Sequence, residues 1–227
     1  NLHVTSDIVK VDAAGTLTLN GAGLTGGAGT GSSTGGGGYG GQGGLGSDKI
    51  GKPGDVHGSL YTPDRFGSGG SSASVSYGTG GGKIRLDVSQ ILIVEGIIEA
   101  NGVGGTTNIG GGSGGSILID TRDFEGSGII QAYGGDGGGN TGAGGGGRIV
   151  IYYRKQQWWT GILNTKGGTS NYGPAGAGTI YMEDTLPDMV NHTLIVDNFG
   201  QYHPEPMTNE YSLSARMARG GMTWIHD

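Results

Sequence analysis

Lys83-Ile-Arg-Leu-Asp-Val88, Ser116-Ile-Leu-Ile-Asp-Thr121, Arg148-Ile-Val-Ile-Tyr-Tyr153 and Thr179-Ile-Tyr-Met-Glu-Asp184 are one pattern written four times. Each copy follows Gly-Gly or Ala-Gly, and successive copies begin 33, 32 and 31 residues apart. A second piece recurs in step: Gly96-Ile-Ile-Glu-Ala-Asn-Gly102, Gly128-Ile-Ile-Gln-Ala-Tyr-Gly134 and Gly161-Ile-Leu-Asn-Thr-Lys-Gly167. Self-similarity at a fixed period of this size marks stacked repeats. Within each copy the apolar residues alternate, so residues two apart share a face. Ile84, Leu86 and Val88 form one set, continued by Ile117 and Ile119, Ile149 and Ile151, Ile180 and Met182. In the second piece the set is Ile98 and Ala100, Ile130 and Ala132, Leu163 and Thr165; the connecting segment supplies Leu92, Val94, Phe124 and Trp159. Columns that keep their character from copy to copy predict an all-β parallel β-helix or solenoid. Its coils are about 32 residues long and stack about 4.8 Å apart.

The flanks extend the reading. Gly15-Thr-Leu-Thr-Leu-Asn-Gly21 matches the second piece and implies an earlier coil, and Leu194-Ile-Val-Asp-Asn198 implies one more second strand. Residues 1–200 are therefore predicted to be one glycine-rich solenoid, with residues 22–82 as a glycine-rich insertion and 201–227 as a C-terminal cap or assembly arm. Leu60, Tyr61 and Phe66 are expected to plug one end or side of the core. The Gly96, Gly128 and Gly161 column predicts a bend, or a place where another backbone comes close.

Composition narrows function by exclusion. Gly supplies 56 and Pro 6 of 227 residues. That level without a period signals disorder, but here a period is present. Ordering this much Gly is entropically costly, which requires dense backbone contacts. Extended, polyproline-II-like Gly segments pack side by side because they carry no side chains. The formal net charge is −6 without a basic cluster, which argues against nucleic acid. With no Cys, disulfides and thiolate metal sites are excluded. No run of about 18 apolar residues is present to span a membrane as a helix. The chain does not begin with Met and carries no signal peptide, which reads as a processed chain or a piece of something larger.

Motif by motif, chemistry is sparse. Gly-x-Gly-x-x-Gly matches carry no weight in so Gly-rich a chain without a following helix. Gly78-Thr-Gly-Gly-Gly-Lys83 fails as a phosphate loop, because Tyr77 replaces the first Gly and Ile84 the magnesium-binding hydroxyl. Gly134-Gly-Asp-Gly-Gly-Gly-Asn140 lacks the nine-residue recurrence of calcium-binding repeats. Asp87 and Asp120 occupy equivalent outward positions, close enough to hold a cation such as calcium or to form a glycosidase pair. The plain reading is a solvated acidic edge. Tyr133, Tyr152 and Trp158 are the candidate contacts for a carbohydrate or a partner, against packing as the plain reading. One of Trp158 and Trp159 must point out if the other points in. Outward Glu99, Gln131 and Asn164 form a polar ladder. The five His are scattered, and Asn191-His-Thr193 is a glycosylation sequon.

The strings Gly110-Gly-Gly-Ser-Gly-Gly-Ser-Ile117, Gly128-Ile-Ile-Gln-Ala-Tyr-Gly-Gly135 and Gly144-Gly-Gly-Gly-Arg-Ile-Val-Ile-Tyr-Tyr153 resemble the glycine-rich repeat regions of large secreted and cell-surface proteins. Gly58-Ser-Leu-Tyr-Thr-Pro63 with Gly67-Ser-Gly-Gly70 belongs to the same resemblance, which covers roughly residues 8–200. It implies an extracellular or surface scaffold of solenoid type and brings no catalytic residues with it. The expectation is a non-enzymatic, self-associating subunit of a surface fibre, sheath or matrix, with residues 22–82 and 201–227 reaching a neighbour. The alternatives are a carbohydrate-binding adhesin or tail-fibre tip and, behind it, a polysaccharide lyase or hydrolase.

Overall fold

The structure, a computed structural model, describes residues 1–47, 52–186, 189–201 and 222–226. It is a parallel β-solenoid. One wall is a seven-stranded sheet made of β1 (Leu2–Val11), β3 (Lys83–Val94), β5 (Ser116–Gly126), β7 (Arg148–Trp159), β9 (Thr179–Leu186), β10 (Met189–Val196) and β11 (Met222–His226), in that order. The second wall has four short strands, β2 (Thr16–Thr18), β4 (Ile97–Glu99), β6 (Ile129–Gln131) and β8 (Ile162–Asn164). Strands from β1 to β9 pair in parallel, and like positions meet like. Ile84 pairs with Ile117, Ile117 with Ile149, and Ile149 with Ile180. Ile98 pairs with Ile130 and Ile130 with Leu163.

The alternation read from sequence is the alternation of burial. Ile84, Leu86, Ile98, Ile117, Ile119, Ile130, Ile149 and Ile151 are fully buried in one core cluster, with Leu92, Val94 and Phe124. Each such side chain contributes about 1.5–3 kcal/mol through loss of water contact. Trp159 turns inward and stacks on Phe124, with ring centroids 4.7 Å apart, while Trp158 points out.

The glycine-rich stretches form the third side. After each short strand the chain runs out, turns and returns as a narrow hairpin. Gly115 and Gly112 donate to Ala100 and Val103; Gly147 and Gly144 donate to Ala132 and Gly135; Gly178 and Ala175 donate to Thr165 and Gly168. These bonds advance three residues at a time. Segment 110–115 shows why. Gly110 and Ser113 donate to Ser71 and Ser68, Gly111 and Gly114 to Gly142 and Gly145, Gly112 and Gly115 to Val103 and Ala100. Every third amide faces the same neighbour, so the segment has the three-residue turn and absent internal bonding of a polyproline II helix. Here each such helix is clamped by three others. At most of these positions only Gly allows that spacing. A Cβ on Gly36 would lie 1.8 Å from the Ala143 carbonyl oxygen.

Two expectations are corrected. The described residues of 22–82 do not wait for a neighbouring copy. Residues 35–44 are buried, and Gly37, Gly41 and Ser71 donate to Gly111, Gly146 and Gly35 of the same chain. In addition, Leu194–Val196 does not add to the four-stranded wall. β10 pairs antiparallel with β9, Ile195 opposite Ile180, and β11 pairs antiparallel with β10. Only two residues separate β9 from β10, and so short a connection joins antiparallel neighbours only. The cap or arm expected at 201–227 lies outside the described residues except for Gln201 and β11.

The Gly96, Gly128 and Gly161 column is a close approach of backbones. A Cβ on Gly96, Gly128 or Gly161 would lie 2.2 Å from the carbonyl oxygen of Gly15, Gly96 or Gly128, one coil before.

Candidate functional site

The outer face of the seven-stranded sheet carries most of the candidate side chains. Its first outward column is Lys83, Ser116, Arg148 and Thr179, brought into register by strand pairing. These side chains hold a strap, residues 55–66, across the strand starts. Lys83 Nζ donates to the Asp64 carbonyl at 3.1 Å, Ser116 Oγ to the Arg65 carbonyl at 2.5 Å, and Arg148 to the His57 carbonyl at 3.0 and 3.3 Å. Further along, the Tyr152 hydroxyl donates to the Tyr61 carbonyl at 2.7 Å. Under the strap, the outward-facing Val150 and Tyr181 are buried. Of the residues expected to plug the core, Leu60 and Phe66 are half-buried, Phe66 with Lys83 Nζ 5.7 Å from its ring, and Tyr61 is exposed; none of the three joins the core cluster.

Tyr39, the large side chain set in the Gly run 35–44, is fully buried at the centre of this arrangement. Its hydroxyl donates to Ser116 Oγ at 2.6 Å, since Ser116 spends its own proton on Arg65. Arg148 lies over the Tyr39 ring at 5.5 Å and donates to Thr179 Oγ1 at 2.9 Å. Burial raises the Tyr39 pKa and lowers that of Arg148. His57 also packs on Tyr39, ring centroids 5.1 Å apart, with Nε2 3.1 Å from Ser68 Oγ. A cleft of about 520 Å3 lies here, lined by His57, Arg65, Phe66 and Ser68 among others. A Ser beside a His in a cleft invites the comparison with a nucleophile and its base. Against it, Ser68 is fully buried and accepts the Gly29 amide, and no carboxylate hydrogen-bonds His57 among the described residues. The pair ties the strap to the glycine layer.

Asp87 and Asp120 do face each other across β3 and β5. Each already has a cation from the chain itself. Asp87 receives Arg85 at 2.9 Å and His3 at 2.6 Å, and Asp120 is ion-paired to Arg154. Burial pushes the Asp87 carboxyl up, but the hydrogen bonds and charges of Arg85 and His3 outweigh it and hold the pKa below 3.8. Such a carboxylate stays ionised and does not serve as a general acid near neutral pH. No group of three or more His, Cys, Asp or Glu converges on a metal position among the described residues. The two Asp line an open cleft of about 790 Å3 with Thr5, Ser6, Asp7, Arg85 and Arg154.

The three candidate aromatics are not brought together. Tyr152 joins an aromatic patch with Tyr61, Tyr181 and His192; Tyr61 meets Tyr181 edge-on at 4.9 Å. Trp158 is 61% exposed and lies six residues along β7 from Tyr152, roughly 20 Å away on an extended strand. Tyr133 follows the other wall, where Lys166 sits 5.9 Å from its ring. The polar ladder forms in part: Gln131 Nε2 donates to Glu99 at 2.9 Å, and Asn20 and Asn101 donate to the same carboxylate, while Asn164, in register with Gln131, accepts the Lys166 amide. Asn191, in the sequon, lies on β10 two positions before Thr193 and four before Ile195, on the face they share toward the core.

Reasoning from sequence missed Tyr39 and the Lys83–Arg148 column as anchors. The available signal was an aromatic residue in a run of Gly. Compared with models of protein families, with curated proteins and with solved structures, the chain matches none.

Proposed function

We propose that the chain is a structural block of an extracellular fibre, sheath or matrix, and that copies stack end to end through the end formed by β1 and β2. The observation that carries this is the unfinished core at that end. Val4, Val9, Val11, Leu17 and Leu19 are only partly buried, whereas Leu86, Leu92, Val94, Ile98 and Ala100, one coil inward, are fully buried. β1 and β2 are also the edges of their sheets, so one side of each carries unpaired backbone groups. Ile8, on β1, is 57% exposed. The extracellular setting rests on the resemblance to glycine-rich repeats of secreted and surface proteins. A non-enzymatic role fits carboxylates neutralised by the chain's own arginines and a serine spent on structure.

Sedimentation velocity over rising concentration tests the stacking. The intact chain should sediment as concentration-dependent oligomers. Ile8→Lys, at an exposed position of β1, puts a charge at the unfinished end and should return it to a monomer that keeps its β-sheet circular dichroism. A chain that stays monomeric at every concentration refutes the proposal.

A further inference from the structure

We propose that the row of turns at the far end of the glycine layer is a binding surface for a neutral glycan. The four turns are residues 71–78, 104–109, 136–141 and 169–174, one per coil hairpin or insertion arm. They form a contiguous row. Gly78 donates to Gly104, Gly105 to Asp136 and Gly137 to Thr169. Thr141 Oγ1 lies within 3.0 Å of the carbonyls of Thr106 and Ile109, and Asn171 Nδ2 donates to Gly139. Their backbones are held by the glycine lattice. Ser72 sits at φ 54°, a left-handed conformation that Ser rarely adopts, and Ser33, in the neighbouring loop, at φ 55°. Non-Gly residues held this way cluster at binding sites.

The chemistry of the row defines its ligand. The turns are built from Ser, Thr, Asn, Gly and Tyr with a few small apolar residues. They contain no Lys or Arg, and their one carboxylate, Asp136, is taken up by the Thr169 amide and hydroxyl at 2.7 and 2.9 Å. In a chain of net charge −6 the described residues of these four turns are almost uncharged. The row offers no attraction to a polyanion, and it offers many uncharged donors and acceptors to a hydroxyl-rich ligand. Tyr77 is 50% and Val75 89% exposed, which supplies apolar surface for the C–H face of a pyranose. Rigid frames that present Tyr, Ser, Gly and Asn on loops are built for recognition. Hydrogen-bonded neighbours here lie about 5 Å apart, comparable to the advance per unit of an extended pyranose chain. Four turns cover roughly 15 Å.

The test applies the full chain to an array of neutral oligosaccharides of the glucan, mannan and galactan types, with sialylated and sulfated glycans alongside. The expected result is binding to a neutral glycan that is insensitive to salt. Tyr77→Ala and Asn108→Ala, both exposed, should melt like the parent and weaken binding about tenfold or more. Arg85→Ala, in the cleft on the sheet face, should leave binding unchanged. The inference is overturned by binding to charged glycans alone, by no binding, or by binding that persists in both turn variants. Equal binding to a glycoprotein and to its deglycosylated form would make the partner a protein and overturn it as well. Stacking is read separately by sedimentation, so failure of one proposal leaves the other standing.

Discussion

A residue without a side chain carries much of the specificity here. Gly128 is required because its α-carbon faces the Gly96 carbonyl oxygen, 2.2 Å from where a Cβ would be. No flexible side-chain end is there to move aside; the obstacle is backbone. Gly128→Ala should therefore destabilise by about 2–3 kcal/mol, in the range of overpacking a tight interior. Its neighbour Ser127 is exposed and gives only a hydroxyl bond to Glu95 at 2.6 Å. Ser127→Ala should cost about 1 kcal/mol or less. Equal losses in chemical denaturation would mean that Gly128 is filler. Two residues on, Ile130 is fully buried between Ile98 and Leu163. Ile130→Asp leaves a charge unpaired in an apolar column, a cost of several kcal/mol. It should abolish the β-sheet circular dichroism of the purified chain.

At the scale of elements, the strap 55–66 responds to pH through His57. Burial lowers the His57 pKa below its ordinary 6.5 and the charges of Arg148 and Arg65 add to this, against a backbone hydrogen bond to Gly38 that favours the charged ring. The unfolded chain then binds a proton that the folded chain resists. The stabilisation is complete above pH 6.5 and is lost as pH falls through the lower folded-state pKa. The melting temperature should fall in that window, and His57→Gln should flatten it. Asp87 acts in the same sense at lower pH, below 3.8, so the variant should keep that later acid transition. An unchanged profile in His57→Gln would remove the strap as the source. The strap itself was poorly legible in the sequence. Leu60 and Phe66 announced that something would be covered, but its anchors are backbone carbonyls, which every residue has. β10 misled for a related reason. Leu194 lies at the right spacing for the next short strand, but the two-residue link after β9 decides the pairing before the repeat does. The strand columns, by contrast, were readable from Ile84 to Met182, because side chains that alternate and repeat write their partners into the sequence.

For the whole molecule, the question is whether the glycine layer is as solid as the sheets. A run such as residues 34–44 reads in sequence as an extended segment that needs dense backbone contacts, but Gly carries no mark of what it touches. The contacts are written in the amides. Gly111, Gly112, Ser113, Gly114 and Gly115 each donate to another segment at 2.8–3.0 Å, and Gly144 to Gly147 do so at 2.7–3.0 Å. Fixing a residue's backbone costs about 1–2 kcal/mol, the more so for Gly, and there is no side-chain burial to offset it. The order must therefore come from these bonds acting together across neighbouring coils and the insertion. A lattice of this kind opens only when its neighbours open, so its amides should exchange hydrogen at the rate of global unfolding. We expect protection at 111–115 and 144–147 to equal that of β5 and β7, although those segments are not strands. Exposed turn amides at Thr107 and Asn108 should exchange quickly under the same conditions. If 111–115 exchange as fast as the turns, the layer is a set of tethered linkers, the sheets alone hold the solenoid, and the turn row loses the rigid frame on which its binding role depends.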